Sequence, residues 1–151
     1  MPQSLAQVYL HLVFSTKNRL PWLAPEDLRQ QAHAKISGCC RSLESSSLRV
    51  GGVEDHVHIL CSLGRTIAVS ELVKEIKRVS SLWIKEQAPE LKDFYWQSGY
   101  GAFSISPAHV PAVETYIRRQ VEHHKREGFQ DEYRRLLAKY SVDYDERYLW
   151  D

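Results

Sequence analysis

Residues 54–61, Glu54-Asp55-His56-Val57-His58-Ile59-Leu60-Cys61, have the composition of a β-strand. Val53, Val57, Ile59 and Leu60 favour a pleated, half-buried segment, and Gly51-Gly52 supplies the turn that leads into it. Alternation along a strand puts His56 and His58 on one face, with Cα atoms about 6.7 Å apart from two residues of rise. Two imidazoles at that spacing can share one metal ion, although an H-x-H tripeptide by itself is more often a pair of hydrogen-bonded or solvated side chains. Glu54 is expected on the histidine face, and Val57, Ile59 and Cys61 on the other, the core side.

Upstream of the histidine strand lies a short partner strand, Leu48 to Val53. Downstream, Gly64-Arg65-Thr66 turns the chain into a helix from about Val69 to Gln87. Leu72, Ile76, Val79 and Trp83 form its apolar stripe, while Lys74, Lys77, Arg78, Ser81 and Lys85 fall in a narrow arc opposite, at about 100° per residue. Such an arc either solvates an outer face or grips a polyanion. Glu71, Glu75 and Glu86 lie off the ridge, which favours the polyanion.

The first strand spans Leu5 to Phe14, with apolar residues on both faces, as in a central strand. His11 sits in it. A basic loop with Lys17 and Arg19 follows, and Pro25, Glu26 and Asp27 start a helix carrying Leu28, Ala32, Ile36, Cys39 and Leu43. After Ala88-Pro89, the aromatic run Phe94 to Gly101 leads into a fourth strand through Phe103 and Ile105. A further helix covers about 107–127, with Pro111 near its start and Gly128 as its stop. A last helix, Gln130 to Lys139, and an aromatic tail, Tyr144 to Trp150, complete the chain.

Strand, helix, strand, strand, helix, strand is the order of a ferredoxin-like α+β sandwich, βαββαβ, with additional C-terminal helices. Its two helices cover one face of an antiparallel sheet and leave the other open, and its first and third strands are neighbours. His11 then shares the open face with His56 and His58, as a neutral imidazole supporting the fold or as a partner of the two histidines.

The 151 residues suit a single domain, 1–151, with a proper core. Hydrophobic content of 43% and charged content of 26% are those of a globular chain, which excludes disordered and membrane classes. No apolar run approaches the ~18 residues of a membrane span, and Met1 to Ser4 lack the features of a signal peptide. A cytoplasmic location is expected. Three cysteines, two adjacent at Cys39-Cys40, form neither a disulfide framework nor a C-x-x-C pair. A formal charge of +1 leaves nucleic-acid binding to local patches.

On the helix after strand four, Val110, Val113, Ile117 and Val121 form a packing stripe. Tyr116, Gln120 and His123 or His124 flank it at spacings of four and three or four. A tyrosine one turn from an amide, on an element able to lie across the open sheet face, offers a nucleophile and a third metal ligand together.

His56-Val57-His58 on a strand, followed by Tyr116-x-x-x-Gln120 on a late helix, resembles the HUH endonucleases. It resembles most the small single-tyrosine, IS200-like transposases of bacterial insertion sequences, which include REP-associated tyrosine transposases. The resemblance covers nearly the whole chain: Tyr9 to Lys17, Asp55 to His58, the helix containing Lys77, Trp96 to Gly101, and Tyr116 to Lys125. It implies cutting and rejoining of single-stranded DNA at element ends marked by imperfect hairpins. It further implies a 5′-phosphotyrosine link through Tyr116 and a departing 3′-hydroxyl. His56, His58 and, by resemblance, Gln120 would hold Mg²⁺ or Mn²⁺, the two nitrogens suiting Mn²⁺. A homodimer, with the tyrosine helix able to complete the partner's site, is implied as well. The cations expected to meet DNA are Lys17, Arg19, Lys74, Lys77, Arg78 and Lys85, and no general base for Tyr116 is evident.

Two other classes compete. A zinc hydrolase would use H-x-H with a further ligand, but Cys61, the nearest soft donor, faces away if the strand is regular. A non-catalytic or domesticated single-stranded DNA or hairpin-binding module would keep the sheet and the cationic ridge without cleavage.

Overall fold

Two strands whose side chains are almost all buried, β1 (Tyr9–Ser15) and β3 (His56–Ser62), pair antiparallel at the centre of a four-stranded sheet. The computed structural model describes residues 2–151. β2 (Ser47–Gly52) flanks β3 and β4 (Gly101–Ile105) flanks β1, giving the order β2-β3-β1-β4 with every neighbour antiparallel. This is the expected α+β arrangement of a ferredoxin-like sheet with further helices at the C-terminal end.

Alternation along the two central strands sorts the molecule into layers. Leu10, Leu12 and Phe14 of β1 and Val57, Ile59 and Cys61 of β3 face α1 (Glu26–Ser42) and α2 (Val69–Gln87). Ala32, Ile36, Leu72, Ile76 and Ile84, all fully buried, fill the space between. Each large apolar side chain buried there contributes about 1.5–3 kcal/mol relative to exposure. The opposite sheet face carries His11, Val13, His56, His58 and Leu60. Val13 and Phe103 pack there with Phe129, Tyr133, Leu136 and Leu137, and Leu60 and Ile105 with Val113 and Ile117.

The elements on that second face are α3 (Val110–Arg118), α4 (Gln120–His123) and α5 (Phe129–Lys139). α3 lies close against β2. A Cβ on Gly51 would stand 2.6 Å from the Ile117 carbonyl oxygen and 2.8 Å from Ile117 Cγ2, so only glycine permits this approach. No helix among the described residues is long and apolar enough to cross a membrane.

Four local expectations differ from the fold. The first strand begins at Tyr9, because residues before it have no sheet partner. Glu54 belongs to the bend before β3, not to the histidine face: it is exposed, and its carbonyl accepts the Leu23 amide at 3.0 Å. The tyrosine helix does not run unbroken to Glu127; it stops at Arg118, and Arg119, at φ −97° and ψ 19°, separates it from the single turn of α4. Helix propensity yields there to tertiary bonding, since Gln120 is 1% exposed and its amide is committed to buried partners on β3 and α5.

The fourth difference is on α2. Lys77 does not project from a free cationic ridge: its ammonium donates to the carbonyls of Gln97, Ser98 and Gly99 at 2.7, 3.2 and 2.8 Å. Nor is the ridge free of acid, because Arg78 is paired with Glu75 at 2.7 Å. The loop before β4 comes back over α2 and takes up the lysine.

Candidate active site

β3 presents His56 and His58 side by side, ring centroids 5.1 Å apart, with neither side chain exposed. His56 Nδ1 donates to Asp55 at 2.7 Å, which fixes the ring and turns Nε2 inward. There Nε2 meets Gln120 Oε1 and Glu132 Oε1, each at 3.2 Å. His58 is oriented from its other edge: His11 Nε2 and His58 Nδ1 share a hydrogen bond at 2.8 Å, and His58 Nε2 lies 3.0 Å from Glu132 Oε1. His11 is thus the partner that sets the tautomer of His58.

Glu132 is the centre of the cluster. It comes from α5 and is fully buried. Its Oε1 lies 3.1 Å from His124 Nε2, its Oε2 accepts Gln120 Nε2 at 3.1 Å, and the same oxygen accepts a short hydrogen bond from the Tyr116 hydroxyl. His124 is also 2.9 Å from Gln120 Oε1. Burial would raise the Glu132 carboxyl, but the charge of His58 and the hydrogen bonds from His124, His56 and His58 outweigh it, and the group is held well below the usual carboxylate range. It is a carboxylate.

The two strand histidines are driven apart. Burial works against a protonated His56, yet the hydrogen bonds to Asp55 and Glu132 prevail and raise it to about 9. His58, where burial prevails over the attraction of Glu132, is pushed down to about 4. Burial and the His58 charge also push His11 well below its ordinary value, although Glu132 opposes them.

Tyr116 closes the site from α3. Besides Glu132 it has Arg135, whose Nη2 donates to the phenol oxygen at 3.0 Å. Burial, then the negative charge of Glu132, raise the phenol above its ordinary pKa, and Arg135 pulls it back only partly. The phenol is a neutral donor in this arrangement, with a carboxylate on its proton and a guanidinium on its oxygen.

The donor atoms fit a divalent ion. One ligand atom from each of His56, His58, His124 and Glu132 lies within 4.8 Å of the others, and the Gln120 amide oxygen joins them. Mixed imidazole and oxygen donors of this kind could hold a divalent ion, and two of the rings, His56 and His58, are steered by a second partner, Asp55 and His11. Cys61 is no part of it, being fully buried in the core on the other side of the sheet.

His56, His58, Gln120, Tyr116 and His11 therefore come together as their spacing suggested. The α2 cations do not join them. Lys74, Lys77, Arg78 and Lys85 stand across the sheet, beyond the core, and Lys85 lies 4.0 Å above the Tyr95 ring. Lys17 and Arg19 lie in the turn after β1; Arg19 lines a small pocket with Asp55 and Phe129, and its guanidinium is 5.2 Å from the Trp150 ring. Glu132 was not foreseen. Its signal is an acidic residue inside the apolar stripe of α5, three residues after Phe129 and four before Leu136.

Comparison with known proteins follows the same lines. The family model described as "Transposase IS200 like" matches residues 4–120, a span that includes His56, His58, Tyr116 and Gln120 but not His124 or Glu132. No curated protein matches the chain. Among solved structures, a Deinococcus radiodurans protein assigned as a transposase superposes with a TM-score of 0.65 at 18% identity, covering 80% of this chain and 95% of its own. A REP-associated tyrosine transposase bound to a REP hairpin superposes with a TM-score of 0.60 at 16% identity, covering 82% of this chain and 73% of its own. At such identities the two neighbours speak for the fold alone. The family match spans most of the chain and holds the two histidines, the tyrosine and the amide gathered at one buried site, and on that ground the chain belongs to the IS200-like transposase family.

Proposed function

We propose that residues 1–151 act as one catalytic domain that cuts and rejoins single-stranded DNA through a 5′-phosphotyrosine intermediate on Tyr116. The observation that carries this is the Tyr116 hydroxyl bonded to Glu132, within the same cluster as His56, His58 and Gln120. In the first step the Tyr116 oxygen bonds to the scissile phosphorus and the bond from phosphorus to the 3′-oxygen breaks. Glu132 accepts the hydroxyl's hydrogen bond and aims the phenol, whose proton is lost to water as the bond to phosphorus forms, while the departing 3′-oxygen takes a proton from water. Arg135 stabilises the charge that develops on the phenol oxygen. Reversal of the same step by a 3′-hydroxyl rejoins DNA, because the phosphodiester energy is kept in the covalent link.

His56, His58 and Gln120, with Glu132 and His124 beside them, would hold Mg²⁺ or Mn²⁺, the nitrogen-rich set favouring Mn²⁺. Such an ion would supply positive charge to the scissile phosphate. Lys17 and Arg19, in the loop at the Asp55 end of the site, serve as phosphate contacts; Lys74, Arg78 and Lys85 can reach only DNA that wraps to the α2 face. A hairpin-bearing strand is the proposed substrate, supported by the fold shared with the hairpin-bound transposase. A homodimer, with the tyrosine helix able to complete the partner's site, goes with this reading.

The test is a hairpin-flanked single-stranded oligonucleotide incubated with Mn²⁺ or Mg²⁺ and resolved under denaturing conditions. A covalent protein–DNA adduct is expected from the wild type and none from Tyr116→Phe. An adduct that persists in Tyr116→Phe rejects the mechanism, and DNA binding unchanged by EDTA, with no adduct, leaves a binding module instead.

A further inference from the structure

A strand attacked at an internal phosphate must continue on both sides of the nucleophile, and Tyr116 lies between two cavities. One, of about 540 Å³, opens between β4, α3 and α5; the other, also about 540 Å³, is lined by Tyr116 with residues from α3 to Arg126. That volume falls within the ~300–1,000 Å³ usual for small-ligand sites. Neither cavity is lined by His56, His58, Gln120, His124 or Glu132; the first shares His11, Tyr116 and Arg135 with the site described above, and the second shares Tyr116.

The first cavity is built in layers of different chemistry. Its floor is apolar, from Ile105, Val113 and Leu136. Tyr140 forms an aromatic wall, braced by stacking on Phe103 at 4.7 Å between centroids. Arg135 and Lys139, one helical turn apart on α5, supply the positive rim. Arg135 is tied to Glu127 and to the Tyr116 hydroxyl, which places one cation at the reacting oxygen. Lys139 has no ion pair among the described residues and lies 5.5 Å from the Tyr140 ring. The hydroxyl of Ser106, bonded to His109 at 2.6 Å, adds a polar group at the mouth.

An apolar floor, an aromatic wall and a rim of cations beside a phosphate-attacking tyrosine match one ligand class: base, sugar and phosphate of a single unpaired nucleotide. We infer that this cavity is a nucleotide subsite, which seats the base next to the scissile phosphate and holds the adjoining phosphate on Lys139. This rests on the reading of Tyr116 as the DNA-attacking residue. The second cavity, lined by Arg119, His123 and Arg126 together with Glu122, takes the strand on the other side of Tyr116. The two subsites set a path for the strand across α3.

The experiment uses the four 5′-deoxynucleoside monophosphates, with inorganic phosphate as control, titrated into the full chain and into Tyr116→Phe while backbone amide resonances are followed. Shifts centred on Ser106, Lys139 and Tyr140 are expected in both proteins, stronger with nucleotides than with phosphate. Lys139→Glu, at an exposed position, is expected to weaken nucleotide binding about tenfold. Equal affinity for phosphate and nucleotide, no shifts at those residues, or indifference to Lys139→Glu would each overturn the subsite. Because the titration requires no cleavage, a wild type that forms the DNA adduct while nucleotides miss the cavity removes the subsite alone. Nucleotide binding without any adduct removes the transposase mechanism alone.

Discussion

Tyr116 donates its hydroxyl hydrogen to Glu132, a carboxylate whose other oxygen lies 3.0 Å from His58 Nε2 and 3.1 Å from His124 Nε2. The proposed nucleophile and the proposed ion site therefore share one residue, and it comes from a helix outside the span matched by the family. Glu132→Gln keeps the size and one acceptor oxygen but removes the charge. Mn²⁺ affinity is expected to fall about 10–100-fold, the usual effect of disturbing a ligand set, and adduct formation to slow with it. Calorimetric Mn²⁺ titration and single-turnover adduct formation measure the two; unchanged values in both would remove Glu132 from the site.

The structure assigns Asp55 the task of aiming His56. Its side chain is 21% exposed and bonds His56 Nδ1 at 2.7 Å, so Asp55→Ala should leave the fold intact while freeing the ring. An Mn²⁺ affinity lower by about 10–100-fold is expected, with a thermal midpoint near that of the wild type. A large loss of stability with no change in affinity would make Asp55 a structural residue only.

How much of this was legible in the sequence follows from the range of each signal. His56 and His58 were readable because strand alternation has period two, and Tyr116 with Gln120 because four residues return to the same side of a helix. The sheet order followed from the order of elements. What could not be read depends on chain segments meeting from afar. Nothing local in Arg119 announces the helix break, which the buried bonds of Gln120 impose. A helical wheel places Lys77 on a ridge but is blind to the loop that returns with three carbonyls to capture it. Glu132 stood in plain view among apolar neighbours, yet its partners lie on three other elements.

Gly51 sets how closely the tyrosine helix approaches the sheet. In Gly51→Ala the new methyl meets the Ile117 backbone at 2.6 Å, and helix or strand must move. A destabilisation of about 1–3 kcal/mol is expected, together with slower adduct formation because Tyr116 shifts with Ile117. Denaturant unfolding and the single-turnover assay test both parts. Full activity and stability would mean that α3 does not rest on β2 in solution.

His33, on α1, gives the protein an acid-sensitive point away from the site. Its Nε2 is buried without a partner, and burial, reinforced by the charges of Arg29 and His58, pushes the imidazole down to about 4 from 6.5. The folded value lies below the unfolded one, so between pH 6.5 and 4 the unfolded chain binds more protons. The stability concerned is whole above pH 6.5 and is lost as pH falls through 4, by at most about 3 kcal/mol. The wild-type stability should therefore drop more steeply over this window than that of His33→Gln. Parallel curves would show that His33 is solvated in both states.

The central claim is that Tyr116 itself becomes joined to DNA. Its most direct measurement is mass spectrometry of the proteolysed adduct formed on a hairpin-bearing single strand with Mn²⁺, alongside analysis of the released strand's end. The account predicts a 5′-phosphonucleotide on the peptide containing Tyr116 and a free 3′-hydroxyl on the released strand. DNA attached to any other residue, or a released strand ending in a 3′-phosphate, would contradict it.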